Sequence, residues 1–303
     1  MKKIAVITGS RAEYGLQKNL LFKLKKSKNF NLFLIATASH LSNEYGFTLN
    51  EINQDNLKVS KKIETLLSSN TSVGISKSFG LGVISFSEVL NEIKPDLIIL
   101  TGDRYEMLSV AVTALFQKIP IAHIHGGEKT VGSYDDSIRH SITKMSNFHF
   151  VANNEYKKRV IQLGEDKKNI FNVGGLGVDN INILKLITKK NIEKKLKINF
   201  KKRNILITYH PETSGKTSNL KDFKELIKSL EYLSETNIFF TMPNADNGSK
   251  DIIKEINIFS KLNKNVFFYN SLGQSMYFSL VNIVDCVIGN SSSGISEIPS
   301  FKK

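Results

Sequence analysis

Short β-branched runs alternate with longer amphipathic stretches along the chain, and this alternation restricts the fold more than any other feature. Runs at 4–8, 32–37, 97–101, 119–123 and 148–152 read as strands. Helical periodicity at 16–26, 71–93, 107–117, 135–144 and 155–163 accompanies them, the pattern at 71–93 weakened by Gly74, Gly80 and Gly82. A second series follows, with strands at 205–208, 238–241, 266–268 and 284–288 and helices at 220–233, 249–262 and 274–281. Such alternation predicts parallel sheets with helices on both faces. The lysine- and asparagine-rich stretch 188–202 reads as a linker between the two series. The expectation is an α/β protein of two Rossmann-like doubly wound domains, 1–187 and 203–303, and a length of 303 residues agrees with two domains. A crevice between the carboxyl ends of the two sets of strands is where a ligand is expected.

Composition narrows the function classes. The net charge of +14 invites a nucleic-acid reading, but the charge is mostly lysine dispersed on expected helix faces, which reads as solvated surface. Arginine is scarce, being confined to Arg11, Arg104, Arg139, Arg159 and Arg203. Where lysine supplies the bulk charge, an arginine points to a need for its planar fork. The apolar runs, such as 97–100 and 119–121, read as too short to span a bilayer, and the amino terminus reads as a buried first strand rather than a targeting segment. The single cysteine, Cys286, excludes an intrachain disulfide and reads as a small core residue in a protein of a reducing, cytoplasmic compartment.

Five segments carry chemistry. Thr8-Gly9-Ser10-Arg11-Ala12-Glu13-Tyr14-Gly15 follows the first strand. It suits either an anion at a helix N-terminus, with Arg11 as a fork, or a plain turn capped by serine. The three-glycine dinucleotide fingerprint is absent, which argues against a nicotinamide cofactor. Thr101-Gly102-Asp103-Arg104 sets a carboxylate beside an arginine at a strand terminus, though Asp103 could also cap the next helix. The segment 123–140 gathers His123, His125, Glu128, Asp135, Asp136, Arg139 and His140. His123 and His125 alternate at a strand end and are expected on one face. Asp135 with Arg139 and Asp136 with His140 are spaced four apart, as helix-supporting pairs are, and either aspartate could be a cap. No familiar zinc spacing occurs, and converging titratable groups suit acid/base work. Tyr209-His210-Pro211-Glu212-Thr213 follows the first strand of the second series. Gly289-Asn290-Ser291-Ser292-Ser293-Gly294 reads as a phosphate cradle or a serine-rich cap, with Glu297 beyond it as a candidate for ribose hydroxyls.

Taken together, Gly9-Ser10-Arg11-Ala12-Glu13, Gly102-Asp103-Arg104, Gly126-Gly127-Glu128, the run from Asp135 to Lys144 and Gly289-Asn290-Ser291-Ser292 resemble the hydrolysing UDP-N-acetylglucosamine 2-epimerases of the sialic- and legionaminic-acid branch. The resemblance implies a glycosyltransferase-B-type fold, a homodimer or larger homo-oligomer, and no metal requirement; no cofactor is expected, and composition adds the expectation of no nucleic-acid or membrane partner. It implies UDP elimination to a glycal and hydration to an N-acetylmannosamine-type sugar. Asp103 and Asp135 correspond to acid/base carboxylates, and His210 to a partner of the departing diphosphate. Arg11, Arg104 and Arg139 correspond to UDP-sugar contacts, and Ser291, Ser292 and Glu297 to the diphosphate and ribose site.

The chain departs from that pattern at two places. Many relatives carry glutamate where this chain has His125, so the role falls to His125, to Glu128 or to neither. Within the resemblance, histidine there, with the segment from Asn172 to Asn180, suits a UDP-2,4-diacetamido-2,4,6-trideoxyglucose substrate. The second departure is at the end: the chain stops soon after a helix start, so the second domain is expected to be incomplete, loosely folded and weakly active. A UDP-sugar glycosyltransferase and a catalytically inactive binding module are the competing expectations.

Overall fold

The computed structural model describes residues 1–69, 71–130, 133–212, 219–243 and 248–303. By its internal contacts the chain divides into two compact units, Met1–Leu176 and Gly177–Lys303.

Unit 1 opens with β1 (Lys2–Thr8), α1 (Arg11–Lys26), β2 (Phe30–Thr37), α2 (Leu49–Gln54), β3 (Val59–Ile63) and α3 (Ser72–Ile93). It continues with β4 (Leu97–Thr101), α4 (Tyr105–Phe116), β5 (Ile121–Ile124), α5 (Asp135–Met145), β6 (Phe148–Val151), α6 (Asn154–Gln162) and β7 (Ile170–Asn172). All seven strands are parallel, in the order β3-β2-β1-β4-β5-β6-β7. Successive residues of a strand enter opposite cores. Ala5, Ile7, Ile98 and Leu100 join Phe86, Leu90 and Met107 on one face; Ile4, Val6 and Ile99 join Tyr14, Leu21 and Leu34 on the other. Burial on both faces is why these strands read as unbroken apolar runs.

Unit 2 contains α7 (Leu176–Ile183, whose first residue belongs to unit 1), α8 (Lys189–Leu196), β8 (Arg203–Thr208), α9 (Asn219–Glu231) and β9 (Thr236–Thr241). It ends with α10 (Ser249–Leu262), β10 (Val266–Tyr269), α11 (Gly273–Ile283), β11 (Cys286–Gly289) and α12 (Ser293–Ser296). Its parallel sheet runs β10-β9-β8-β11. Ile205, Ile207 and Phe240 face one core, and Leu206 and Phe239 the other.

Three expectations need correction. The stretch read as a linker contains α8, because Ile192 is buried and α8 packs on α11; the units divide at 176/177 instead. The bilayer reading rests on the runs 97–100 and 119–121 and passes over α3, a 22-residue helix that is long and apolar enough to cross a bilayer by length and composition. In this fold α3 instead buries Phe86, Leu90 and Ile93 and lies against α4, where a Cβ on Gly82 would come within 2.6 Å of Ser109 Oγ. The glycines that weakened the helical pattern thus include one that the packing requires. Cys286 packs against the core of Ile205, Ile207 and Phe240 but is half-buried rather than fully buried, because β11 is an edge strand.

Candidate active-site residues

In a doubly wound sheet the loops diverge where strand order reverses, and ligands bind at the carboxyl ends beside that point. In unit 1 the reversal lies between β1 and β4, and in unit 2 between β8 and β11. The segments singled out from the sequence follow these strands: Gly9–Arg11 after β1, Gly102–Arg104 after β4, His210 after β8 and Asn290–Ser292 after β11.

In unit 1, Ser10 caps α1 in a capping box with Glu13, so the plain capping reading of this turn is realised; Arg11 is the first residue of the helix. After β4, the cap of α4 is Arg104, not Asp103. Asp103 instead forms an ion pair with Arg139 of α5. Arg139 is 5% exposed, and its terminal nitrogens also reach Asp136 Oδ1 at 3.2 Å and Thr130 Oγ1 at 3.3 and 3.4 Å. Burial raises the Asp103 carboxyl to about 6; Arg139 opposes the shift, and Asp135 and Glu128 add to it. Asp135, Glu128 and Asp103 are therefore close enough to interact. Arg104 pairs with the buried Glu106 at 3.3 Å and stands over the Tyr105 ring.

Neither aspartate caps α5, whose cap is Tyr134; Asp136 accepts the Thr130 N–H at 2.6 Å and binds Arg139 three residues on. The two strand-end histidines also differ from expectation. β5 ends at Ile124, and His125 has φ +67°, which breaks the alternation. His123 is fully buried. Its Nε2 is 2.8 Å from the Gly102 carbonyl, which can only accept, so Nε2 carries the proton and Nδ1 accepts from Thr143 Oγ1 at 3.1 Å. Burial lowers its pKa to about 3, so it stays neutral and works as a brace for the Asp103 loop. His125 Nδ1 lies 2.5 Å from Glu128 Oε1, and its Nε2 is buried with no hydrogen-bond partner.

In unit 2, His210 N–H donates to Asn290 Oδ1 at 2.7 Å and Asn290 Nδ2 donates to the His210 carbonyl at 2.7 Å. This reciprocal pair joins the two loops of the strand reversal. Ser291 is half-buried and Ser292 exposed. The helix that follows has only four residues. Glu297 is 9% exposed, accepts from Ser296 Oγ at 2.7 Å, and lies so close to Gly177 that a Cβ there would meet Glu297 Oε1 at 2.3 Å. Thr213, in the histidine segment, lies outside the described residues. Among the described residues no group of three or more His, Cys, Asp or Glu side chains is placed to hold a metal.

The sequence reading did not foresee three buried polar residues around these loops: Glu13, Glu106, and His40, whose ring meets Thr8 Oγ1 at 3.0 Å and Thr48 Oγ1 at 2.8 Å. Each lies within three positions of a strand end or helix start, which is the signal that could have found them.

Two parallel α/β units with polar residues at both strand reversals define the glycosyltransferase-B class of fold. The crystal structure of UDP-GlcNAc 2-epimerase from Neisseria meningitidis bound to UDP-GlcNAc matches at a TM-score of 0.79 and 19% identity, over 100% of this chain and 81% of that one. The Methanocaldococcus jannaschii UDP-GlcNAc 2-epimerase, in complex with UDP-GlcNAc and UDP, matches at 0.80 and 20%, over 99% and 81%. At such identities these matches establish the fold.

The family follows from sequence. A family model described as UDP-N-acetylglucosamine 2-epimerase matches residues 22–303. GDP/UDP-N,N'-diacetylbacillosamine 2-epimerase (hydrolyzing) of Campylobacter jejuni is 43% identical over 99% of this chain and 78% of its own length. Polysialic acid biosynthesis protein P7 of Escherichia coli is 40% identical over 100% and 77%. UDP-N-acetylglucosamine 2-epimerase of Neisseria meningitidis serogroup B is 33% identical over 99% and 78%. The chain belongs to the UDP-N-acetylglucosamine 2-epimerase family.

Proposed function

We propose that this chain is a hydrolysing 2-epimerase of UDP-2-acetamido sugars, working in the cytoplasm as a homodimer or larger homo-oligomer without metal or cofactor. The observation that supports this reading best is the carboxylate group Asp103, Asp135 and Glu128, in which Asp103 is shifted toward neutrality and held by Arg139. A hydrogen on sugar carbon 2 is not acidic, since no carbonyl is attached there. It can leave as a proton only while carbon 1 loses its substituent. One carboxylate takes the proton, the C–H electron pair becomes the C1–C2 double bond, and the C1–O pair leaves with UDP. Water then adds across the glycal, hydroxyl at carbon 1 and hydrogen at carbon 2 from the opposite face. The products are UDP and the free 2-epimeric sugar.

Asp103 and Asp135 serve as the acid/base pair in this reading. Arg139 positions Asp103, since Asp103, Asp136 and Thr130 occupy its terminal nitrogens. Arg11 and Arg104 contact the nucleotide sugar. His210, Ser291, Ser292 and Glu297 serve the diphosphate and ribose. Glu128 orients His125 through Nδ1 and leaves Nε2 to accept or donate a hydrogen bond at the sugar. The higher identity to the diacetylbacillosamine epimerase favours a UDP-2,4-diacetamido-2,4,6-trideoxy sugar over UDP-N-acetylglucosamine, the alternative substrate.

The test is UDP release from each nucleotide sugar in D2O without an acceptor, with the released sugar read by NMR. The expected result is UDP release with deuterium at carbon 2 of the epimeric sugar, faster with the diacetamido substrate. Release that requires an acceptor would make the chain a glycosyltransferase, and deuterium-free product would remove the elimination step.

A further inference from the structure

A buried pair on α1 is not used by the reaction. Glu13 is 6% exposed and takes two main-chain donors on one oxygen: Gly9 N–H at 2.6 Å and Ser10 N–H at 3.1 Å, both to Oε2. Its other oxygen, Oε1, is buried and has no hydrogen-bond partner. One helical turn on, Gln17 is fully buried, and its amide donates to the Ile7 carbonyl at 2.9 Å and to Thr101 Oγ1 at 3.0 Å. Gln17 Oε1 is likewise buried and unpartnered. Residues four apart share a helix face, so two orphaned acceptors stand in one buried row. Two acceptors cannot satisfy each other, but one proton between them satisfies both.

The surrounding charges point the same way. Glu106 of α4, 2% exposed, is the negative charge that acts on Glu13, and Arg104 the cation that opposes it, already paired with Glu106. His40, whose ring meets Thr8 Oγ1 at the end of β1, adds no charge, because burial lowers its pKa to about 4.

We propose that Glu13 is a positioning residue that carries its proton on Oε1 and donates it to Gln17 Oε1. The Gly9-Ser10 turn and the Thr101 strand end, two residues before Asp103, are thereby tied into one network. For its catalytic consequence this rests on the epimerase reading above; the bonding arrangement does not. Burial, reinforced by Glu106, raises the Glu13 carboxyl to about 8, against Arg104 and the two main-chain donors. Ionisation there removes the donor from Gln17 and sets a second negative charge beside Glu106. The folded value lies above the ordinary 4.5, so the contribution to stability is fully present below pH 4.5 and is lost as pH rises through about 8.

Glu13→Gln separates proton from charge. Its amide oxygen can accept from Gly9 and Ser10, and its NH2 can donate to Gln17, at every pH. The experiment measures UDP release and thermal midpoint against pH for the wild-type chain, Glu13→Gln and Glu13→Ala. Wild-type turnover should fall across about pH 7 to 9, around the Glu13 value of about 8, whereas the wild-type midpoint should fall between about pH 4.5 and 8 and level off above that. Glu13→Gln should keep neutral-pH turnover and lose that alkaline fall. Glu13→Ala should lose about tenfold or more in kcat at all pH values, with little change in KM. A Glu13→Gln variant as impaired as Glu13→Ala, or one whose midpoint falls with pH as the wild type's does, overturns the proposal. Absence of UDP release by the wild type would sink the epimerase reading alone, since the midpoint comparison decides Glu13 without it.

Discussion

The two units use opposite materials at the same topological position. Unit 1 surrounds its strand reversal with charged side chains that are mostly buried and mutually bonded, Asp103 with Arg139, Arg139 with Asp136 and Arg104 with Glu106, and braces it with the neutral His123 against the Gly102 carbonyl. Unit 2 surrounds its own with main chain and small polar groups: the Asn290–His210 pair, Gly289, and partly or fully exposed serines. Proton transfer needs a group whose pKa is shifted, and burial among charges does that. Holding a diphosphate needs donors and open surface, which loops at strand ends supply without tuned titration. The contrast predicts that unit 1 is sensitive to loss of single charges and unit 2 to changes in backbone.

The largest effect should come from unit 1. Asp103→Asn and Asp135→Asn remove one proton carrier each and should lower turnover on the order of 10²-fold or more with the fold intact. The wild-type kcat/KM should rise as pH passes through about 6, where Asp103 ionises, if Asp103 is the base. A rise unchanged in Asp103→Asn would transfer that role to another group.

The next effect should come from the backbone of unit 2. Gly289 has φ +148°, and a Cβ there would lie 1.8 Å from the Thr208 carbonyl oxygen of the neighbouring strand. Gly289→Ala should destabilise unit 2 by roughly 2 kcal/mol or more and weaken UDP binding with it. Hydrogen exchange should localise the loss to β8 and β11. A variant with normal protection and normal UDP affinity would break the contrast between the units.

How much of this was legible in the sequence follows the same division. The central strands of both sheets were legible because both faces of each are buried, which writes an apolar run. β3, Val59-Ser60-Lys61-Lys62-Ile63, was not, because an edge strand can carry lysines at its solvent side. β7 has three residues and α8 buries one, too little periodicity for either to be read. In the site, residue types and positions were legible for Asp103, His125 and His210 just after strands and for Asp135 at a helix start. Their partners were not: that Arg139 serves Asp103, or that His123 braces Gly102, depends on contacts between segments 36 and 21 positions apart.

The smaller effects lie among the side chains of unit 2. Asn290→Ala removes both bonds that join the His210 loop to the serine loop. At about 0.5–1.5 kcal/mol for each bond, UDP affinity should fall about tenfold. The smallest should be Ser292→Ala. Ser292 is exposed, and the helix it precedes has no side-chain cap bond from it. Its carbonyl, which alanine keeps, takes the Ser296 N–H at 3.1 Å and Ser296 Oγ at 3.0 Å. Only one hydroxyl is lost, and water can replace an exposed hydroxyl's bonds, so UDP affinity should change less than about threefold. Isothermal titration with UDP separates the outcomes. A loss of a hundredfold in Ser292→Ala would mean that this hydroxyl, rather than the backbone around it, grips the diphosphate, and unit 2 would then depend on single side chains as unit 1 does.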